Sequence, residues 1–396
     1  MSKIRVNNIS KIDRKNRNIL FCKIATVILS IVLICMSFNL FLNQYYEPKE
    51  YTSDLSKHIK FGKEGNNLYS LMYVILGFLS SWPNPGFFIA IVLTFFVVFS
   101  VWATKKLLSF FCPDTDKWIL WVYALICNMS FPIQITLTEN HSVRGYMTSN
   151  VYHNSTYLAM KPLAFLVIYY FFTLKDKYVE KPLKIKQWFI FTGLMLITTA
   201  FKPNFIIGFS LAMLITMIYD FIENKFKSVL NFIIMGTTVF PSIILVYYQQ
   251  STLFDEKSEM KFGYFVALEE LTSQVRGHIY IYLLMSFLFA FIIAAVCFKE
   301  FFTDSCYVFS WVFLLVNMFF ATFLYETGPR ATHGNFLWAA YFAAGFILAV
   351  SIAKYDKLIK EEKITCMIVS SAVLGAQFFS WLNYMIELCN GRVPYR

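Results

Sequence analysis

ILFCKIATVILSIVLICMSFNLFL, residues 19–42, decides what kind of molecule this is. The stretch holds one charge, Lys23, and is otherwise mostly apolar. About 20 such residues cross the roughly 30 Å hydrocarbon core of a bilayer as an α-helix. The run is also too long for the apolar centre of a cleavable secretion signal. Residues 1–18 before it are polar and basic, so the first span is predicted to start from a cytoplasmic N-terminus.

Outward from there, the pattern recurs at 86–104, 118–136, 203–222, 228–248, 279–298, 306–325, 336–353 and 364–387, with weaker runs at 156–173 and 188–201. The composition agrees: 58% of the 396 residues are apolar and 15% charged, and the mean hydropathy is +0.55. A soluble domain has about 45–50% and about 25%. A soluble globular enzyme, a disordered chain and a secreted disulfide scaffold are thereby excluded. The expected fold is an all-α polytopic bundle of about eleven spans (10–12). It comprises a cytoplasmic basic tail, 1–18, and one transmembrane domain, 19–396.

The net charge of +11 comes from 35 Lys+Arg against 24 Asp+Glu. In a chain this apolar, basic residues hold cytoplasmic loops against the membrane. Membrane lipid is therefore the expected partner, and nucleic acid is not.

One apolar run, Leu68–Trp82, stops at Pro83-Asn84-Pro85. A helix of that length covers about 22 Å, short of the hydrocarbon core. It is predicted to lie at the outer interface. With that assignment Lys and Arg concentrate on the cytoplasmic side; if the run spanned, the excess would move outside. The extracytoplasmic loops are then 43–85, 137–155, 249–278 and 326–335. The protein is expected to be multi-pass in the cell membrane, with an extracytoplasmic C-terminus. All five histidines, His58, His141, His153, His278 and His333, fall on the outer side in this scheme.

No Walker A sequence, GxGxxG fingerprint, CxxC pair or HExxH is present. Nucleotide hydrolysis and a structural zinc site are not expected. The candidate chemistry gathers in the outer loops instead. Asp54 and His58 stand four apart, so a helix there would put them on one face, as an oriented general base or as two metal ligands. Glu139, His141, Arg144 and His153 crowd the second outer loop, where Glu and His suit proton or metal work and Arg suits a phosphate. Lys202-Pro203 interrupts an apolar stretch, and an ionisable group at membrane depth is costly unless it meets a counter-charge or water. Arg330 and His333 can grip an anionic group in the short Gly- and Pro-containing loop, and Asn335 can add an amide contact. An anionic head group on a lipid tail suits such a collection.

This layout resembles the GT-C superfamily of integral-membrane glycosyltransferases. The resemblance rests on the first span, the acidic outer loop (Ser53-Asp54 with His58), the short interfacial helix Leu68–Trp82, the span ending in Lys105-Lys106, and the Lys202-Pro203 break. It covers 19–222 loosely and the rest by topology alone. It implies a polyprenyl-phosphate sugar donor, a cell-envelope glycan or lipid acceptor, and transfer on the extracytoplasmic face. Asp54 then matches the family's loop-one acid, a catalytic base or metal-binding position, and Lys202 its lipid-phosphate contact. Arg330 and Arg144 would share the phosphate charge. The family's usual acidic doublet is a single Asp54 here, and Asn66-Asn67-Leu68-Tyr69 replaces its proline-rich step. No cofactor is fixed by these residues, and a divalent metal stays open. Other readings are an O-antigen or capsule polysaccharide polymerase, a lipid-linked substrate transporter or flippase, an O-acyltransferase, or a non-catalytic assembly protein. Transporters often carry paired helix breaks in their two halves; only one break, Lys202-Pro203, is visible.

Overall fold

The computed structural model describes residues 2–65, 69–134, 146–253, 259–266, 279–328 and 334–392. Its helices are α1 Ser2–Tyr46, α2 Leu55–Glu64, α3 Leu71–Leu79, α4 Pro85–Phe111, α5 Lys117–Asn128, α6 Ser155–Glu180 and α7 Ile185–Phe201. They continue with α8 Asn204–Glu223, α9 Val229–Thr237, α10 Phe240–Leu253, α11 Ile279–Val296, α12 Ser305–Phe323, α13 Leu337–Lys360 and α14 Ile364–Cys389. A two-stranded antiparallel ribbon pairs β1, Met260–Phe262, with β2, Leu324–Glu326. Among the described residues, nine helices are long and apolar enough to cross a membrane, α9 and α10 counting as one. Two shorter apolar helices are α5 and α7. The protein is a membrane-embedded helical bundle.

Burial separates the spans. The most apolar window of α1 is 11% buried, whereas that of α13 is 89% buried. Leu20, Phe21, Ile24, Val27, Ile28 and Ile31 of α1 face outward as large apolar side chains. The α13 helix carries Ala339, Ala340, Ala343, Ala344, Gly345 and Ala349 instead. Small residues let neighbouring backbones approach in a membrane, where apolar surface alone gives helices no reason to associate. Around α13, the rings of Phe171, Phe205, Phe209, Phe309, Phe313 and Phe342 pack on one another at edge-to-face and stacked angles.

Charges sort to the two ends differently. At one end they are paired. Lys354 of α13 bonds Glu300 and Asp304, and Asp356 takes bonds from Thr115, Tyr123 and Lys360. Nearby, Lys175 of α6 and Asp220 of α8 form a buried pair 3.5 Å apart, and Tyr178 donates to the same carboxylate at 2.6 Å. These contacts tie helix ends together. The opposite end gathers the close of α1, the start of α6, the α7–α8 junction and the start of α13. Its charged groups are arranged differently.

Two features shape that end. The first is the α2–α3 hairpin. Only nine residues of the 68–82 run are helical, a length of about 14 Å, so α3 does not reach across a bilayer. Ser70 caps it by accepting from the Met72 N–H, and its hydroxyl donates to the carbonyl of Phe201 at 2.7 Å. Gly62 of α2 and Gly77 of α3 meet backbone to backbone.

The second is non-helical chain inside the bundle. The span expected over 118–136 is helical only to Asn128. Residues 130–134 run on without helical structure, and Phe131 N–H bonds the carbonyl of Gln377 at 3.0 Å. Residues 146–154 are likewise non-helical, and all but the half-buried His153 are buried. Backbone polar groups at such a place need partners. Ser286 accepts from Met147 N–H, Tyr157 OH donates to the Ser149 carbonyl, Gln44 to that of Tyr152, and Asp54 N–H to that of His153.

Candidate functional site

The buried segment delivers His153 and Asn154 to the start of α6, and the site forms around them. Asn154 is the N-cap of α6, where its Oδ1 accepts from Tyr157 N–H at 2.9 Å. That backbone donor fixes which way the carboxamide faces, since only the oxygen can accept. The amide nitrogen therefore points away from the helix, and it donates to Asp54 Oδ2 at 2.7 Å. Asp54 immediately precedes α2, and its own carbonyl accepts from His58 N–H at 2.9 Å. Asp54 and His58 are thus neighbours, with Asp54 at the helix cap rather than on the helical face expected for it. Among the described residues, the second carboxylate oxygen, Oδ1, takes no hydrogen bond.

Lys202 enters from the far side. It leaves α7 in an extended conformation, φ −160° and ψ 120°, and Pro203 caps α8. Proline has no N–H, so the helix cannot run through, and the chain turns here. The Lys202 ammonium is buried. It donates to Thr156 Oγ1 at 3.2 Å and reaches Asn154 Oδ1 at 3.5 Å. It also stands 4.3 Å from the centre of the Trp338 ring. A ring face and two neutral oxygens partly stabilise a cation in a desolvated place. No carboxylate lies within ion-pair distance of it among the described residues. One carboxamide therefore bridges the carboxylate and the ammonium, which make no direct ion pair.

His58 is buried, with Nδ1 2.7 Å from Ser155 Oγ and its ring 4.8 Å from that of Tyr73. His153 packs against Trp338 at 5.5 Å. Burial pushes His58 down to about 3, against the pull of Asp54, and lowers His153 as well. Both imidazoles are then neutral at neutral pH. Burial alone would raise the Asp54 carboxyl, but His153, His58, the Asn154 amide and Lys202 hold it below its ordinary value. It is a carboxylate at neutral pH.

The His58 shift sets a sign for stability. An unfolded histidine, near 6.5, takes up a proton that the folded one refuses until about pH 3. Stability is complete above pH 6.5 and falls as pH drops towards 3. The thermal midpoint of the purified protein should fall across that window. In His58→Gln the fall should be shallower; an identical slope would assign the acid sensitivity elsewhere.

Asp54, His58, His153 and Lys202 are thus brought together. Asn335 sits at the same end but is committed: its amide donates to Glu326 at 2.6 Å, and its carbonyl accepts from Asn204, two residues after Lys202. Glu139, His141, Arg144, Arg330 and His333 lie outside the described residues. Asn154, Thr156 and Trp338 were not among the sequence candidates. Asn154 had a signal, an Asn directly before a helical run; Trp338 had none beyond its type. No three His, Cys, Asp or Glu among the described residues group as a metal site. With Lys202 beside the carboxylate and a Ser155 contact on the His58 Nδ1, the donor set suits an anion and a hydroxyl better than a divalent cation. No protein-family model matches the chain, and no curated protein matches it.

Proposed function

We propose that this chain is a membrane glycosyltransferase of GT-C type with about eleven spans. It moves a sugar from a polyprenyl-phosphate donor to a cell-envelope glycan or lipid acceptor on the extracytoplasmic face. The observation that carries this reading is the Asn154 bridge: among the described residues, a carboxylate with one oxygen that takes no hydrogen bond and a buried ammonium with no carboxylate at ion-pair distance, held one carboxamide apart. Such a pair suits a reaction that needs a base and a seat for phosphate at once.

In this mechanism Asp54 Oδ1 takes the proton of an acceptor hydroxyl. The oxygen attacks the anomeric carbon, whose bond to the phosphate oxygen breaks. The phosphate leaves with the electron pair, and Lys202 stabilises its charge in a desolvated setting. Trp338 and Thr156 hold the ammonium, and His58 and His153, neutral, pack the walls. In this reading the lipid tail enters beside the α3 helix, which Ser70 anchors to the α7 terminus.

The test is incubation of purified protein with radiolabelled polyprenyl-phosphate sugars and a pool of glycan acceptors. Label on the acceptor supports the reading; uptake into proteoliposomes without transfer replaces it with a carrier. Lys202→Met should lower kcat by roughly 10²–10³, the loss on removing one well-placed charge-stabilising donor. A change confined to KM would make Lys202 a ground-state binding group only.

A further inference from the structure

A second lysine has no part in this chemistry. Lys161 of α6 is 5% exposed and lies inside the bundle. Its ammonium donates to Asn150 Oδ1 at 2.7 Å. Asn150 in turn spends its amide on the carbonyls of Cys127, at 3.0 Å, and Ser130, at 2.6 Å. Among the described residues, no carboxylate lies within ion-pair distance of Lys161. A buried charge without a counter-charge is expensive in a membrane, and such residues mark sites where something compensates them.

Next to Asn150 is a cavity of about 20 Å³, lined by Ser130, Thr148, Ser149, Ser286, Gly345 and Gln377 among others. The volume is that of one or two small occupants. Its donors are the informative part. Ser130 and Ser286 give their hydroxyl protons to the carbonyls of Ile126 and Tyr282. Thr148 Oγ1 accepts from Asn150 N–H, and its own proton has no acceptor among the described residues. The Ser149 hydroxyl makes no hydrogen bond there either; only the Ser149 carbonyl is bonded, by Tyr157. Gln377 is 3% exposed, and its Oε1 has no partner among the described residues. Its amide hydrogens take no side-chain acceptor among the described residues, and turning the carboxamide over exchanges which end faces the cavity. Gly345 gives Ser149 its place, because a side chain there would overlap the serine hydroxyl. Two uncommitted hydroxyls, those of Thr148 and Ser149, thus line one small space beside the Gln377 carboxamide, with an ammonium behind Asn150 that has no carboxylate at ion-pair distance among the described residues.

We propose that this cavity is a binding site for a compact monoanion, and that the anion compensates Lys161. The anion is a free halide or a small carboxylate; both present one negative charge in the volume available. The site is distinct from the Asp54 cluster: Thr148, Ser149 and Asn150 serve the cavity, while His153 and Asn154, further along the same segment, serve the other. It does not rest on the transferase reading, and its test needs no substrate.

The test is thermal unfolding of the full-length protein in detergent, at constant ionic strength and pH. Sodium methanesulfonate, too bulky for the cavity, is the reference, and chloride, bromide or acetate replaces it stepwise. The midpoint should rise saturably by roughly 2–4 °C. A rise in chloride and bromide alone identifies a halide site, and one in acetate alone a carboxylate site. In Lys161→Met the rise should vanish, and in Ser149→Ala it should saturate at higher concentration. If Lys161→Met fails to fold, Ser149→Ala and Thr148→Val decide. A wild-type midpoint indifferent to the anion, or variants that respond as wild type does, overturns the proposal.

Discussion

Asp54→Asn should lower sugar transfer by about 10²–10⁴-fold, the range a positioned general base supplies, while the protein folds and purifies as before. The substitution is nearly isosteric, and the new amide oxygen can still accept from Asn154 Nδ2 across the same 2.7 Å. What is lost is the proton acceptor. Because the wild-type carboxyl is held below its ordinary value, it is ionised at neutral pH and ready to accept. The measurement is kcat at saturating donor, beside the thermal midpoint and the elution profile of the same preparation. The fall should be in kcat, with KM for the donor little changed, since the proposed phosphate contact is Lys202 and not Asp54. Full activity in this variant would remove Asp54 from the chemistry.

Gly62→Ala should destabilise the α2–α3 hairpin by about 3 kcal/mol, the upper part of the range for forcing extra carbon into packed structure. A Cβ on Gly62 would overlap the backbone oxygen of Tyr73 and stand 2.8 and 2.9 Å from the nitrogen and Cα of Gly77. All three are backbone atoms of α3, so no side chain can swing away to make room. The helices must separate, and Asp54, at the cap of α2, moves with them. Activity and thermal midpoint should therefore fall together, unlike the Asp54→Asn case. Gly193→Ala is the control: nothing lies within 4 Å of a Cβ there, and the residue is helical, so the midpoint should hold or rise. A Gly62→Ala protein that melts and works like wild type would show that the close approach is not needed.

The spans were readable because hydropathy reports what a helix dissolves in. It does not report what the helix touches. The runs at 19–42 and 336–353 both read as spans, yet α1 is bathed in exposed apolar side chains and α13 is the core of the bundle. The alanines of α13, set against the isoleucines and leucines of α1, carried that distinction. Lys202 was legible because a charge followed by proline breaks two rules of a span at once. The segment over 118–136 was misjudged beyond Asn128, since an apolar run has no period that separates buried extended chain from helix. Asn154 could not be paired with Asp54 from sequence, for they lie 100 residues apart and meet only through the fold. The cavity beside Asn150 was equally hidden: Ser, Thr and Gln scattered over four segments have no linear pattern.

The buried stretch 146–154 has a consequence for how the protein matures. The segment lacks the backbone bonding of a helix, and it is seated by Gln44 of the first helix, Tyr157 of the sixth and Ser286 of the eleventh. Ser286 leaves the ribosome long after Asp54 and Asn154 do. The nascent N-terminal half can insert its helices early, but the acid acquires its finished surroundings only when the later half has arrived and closed around it.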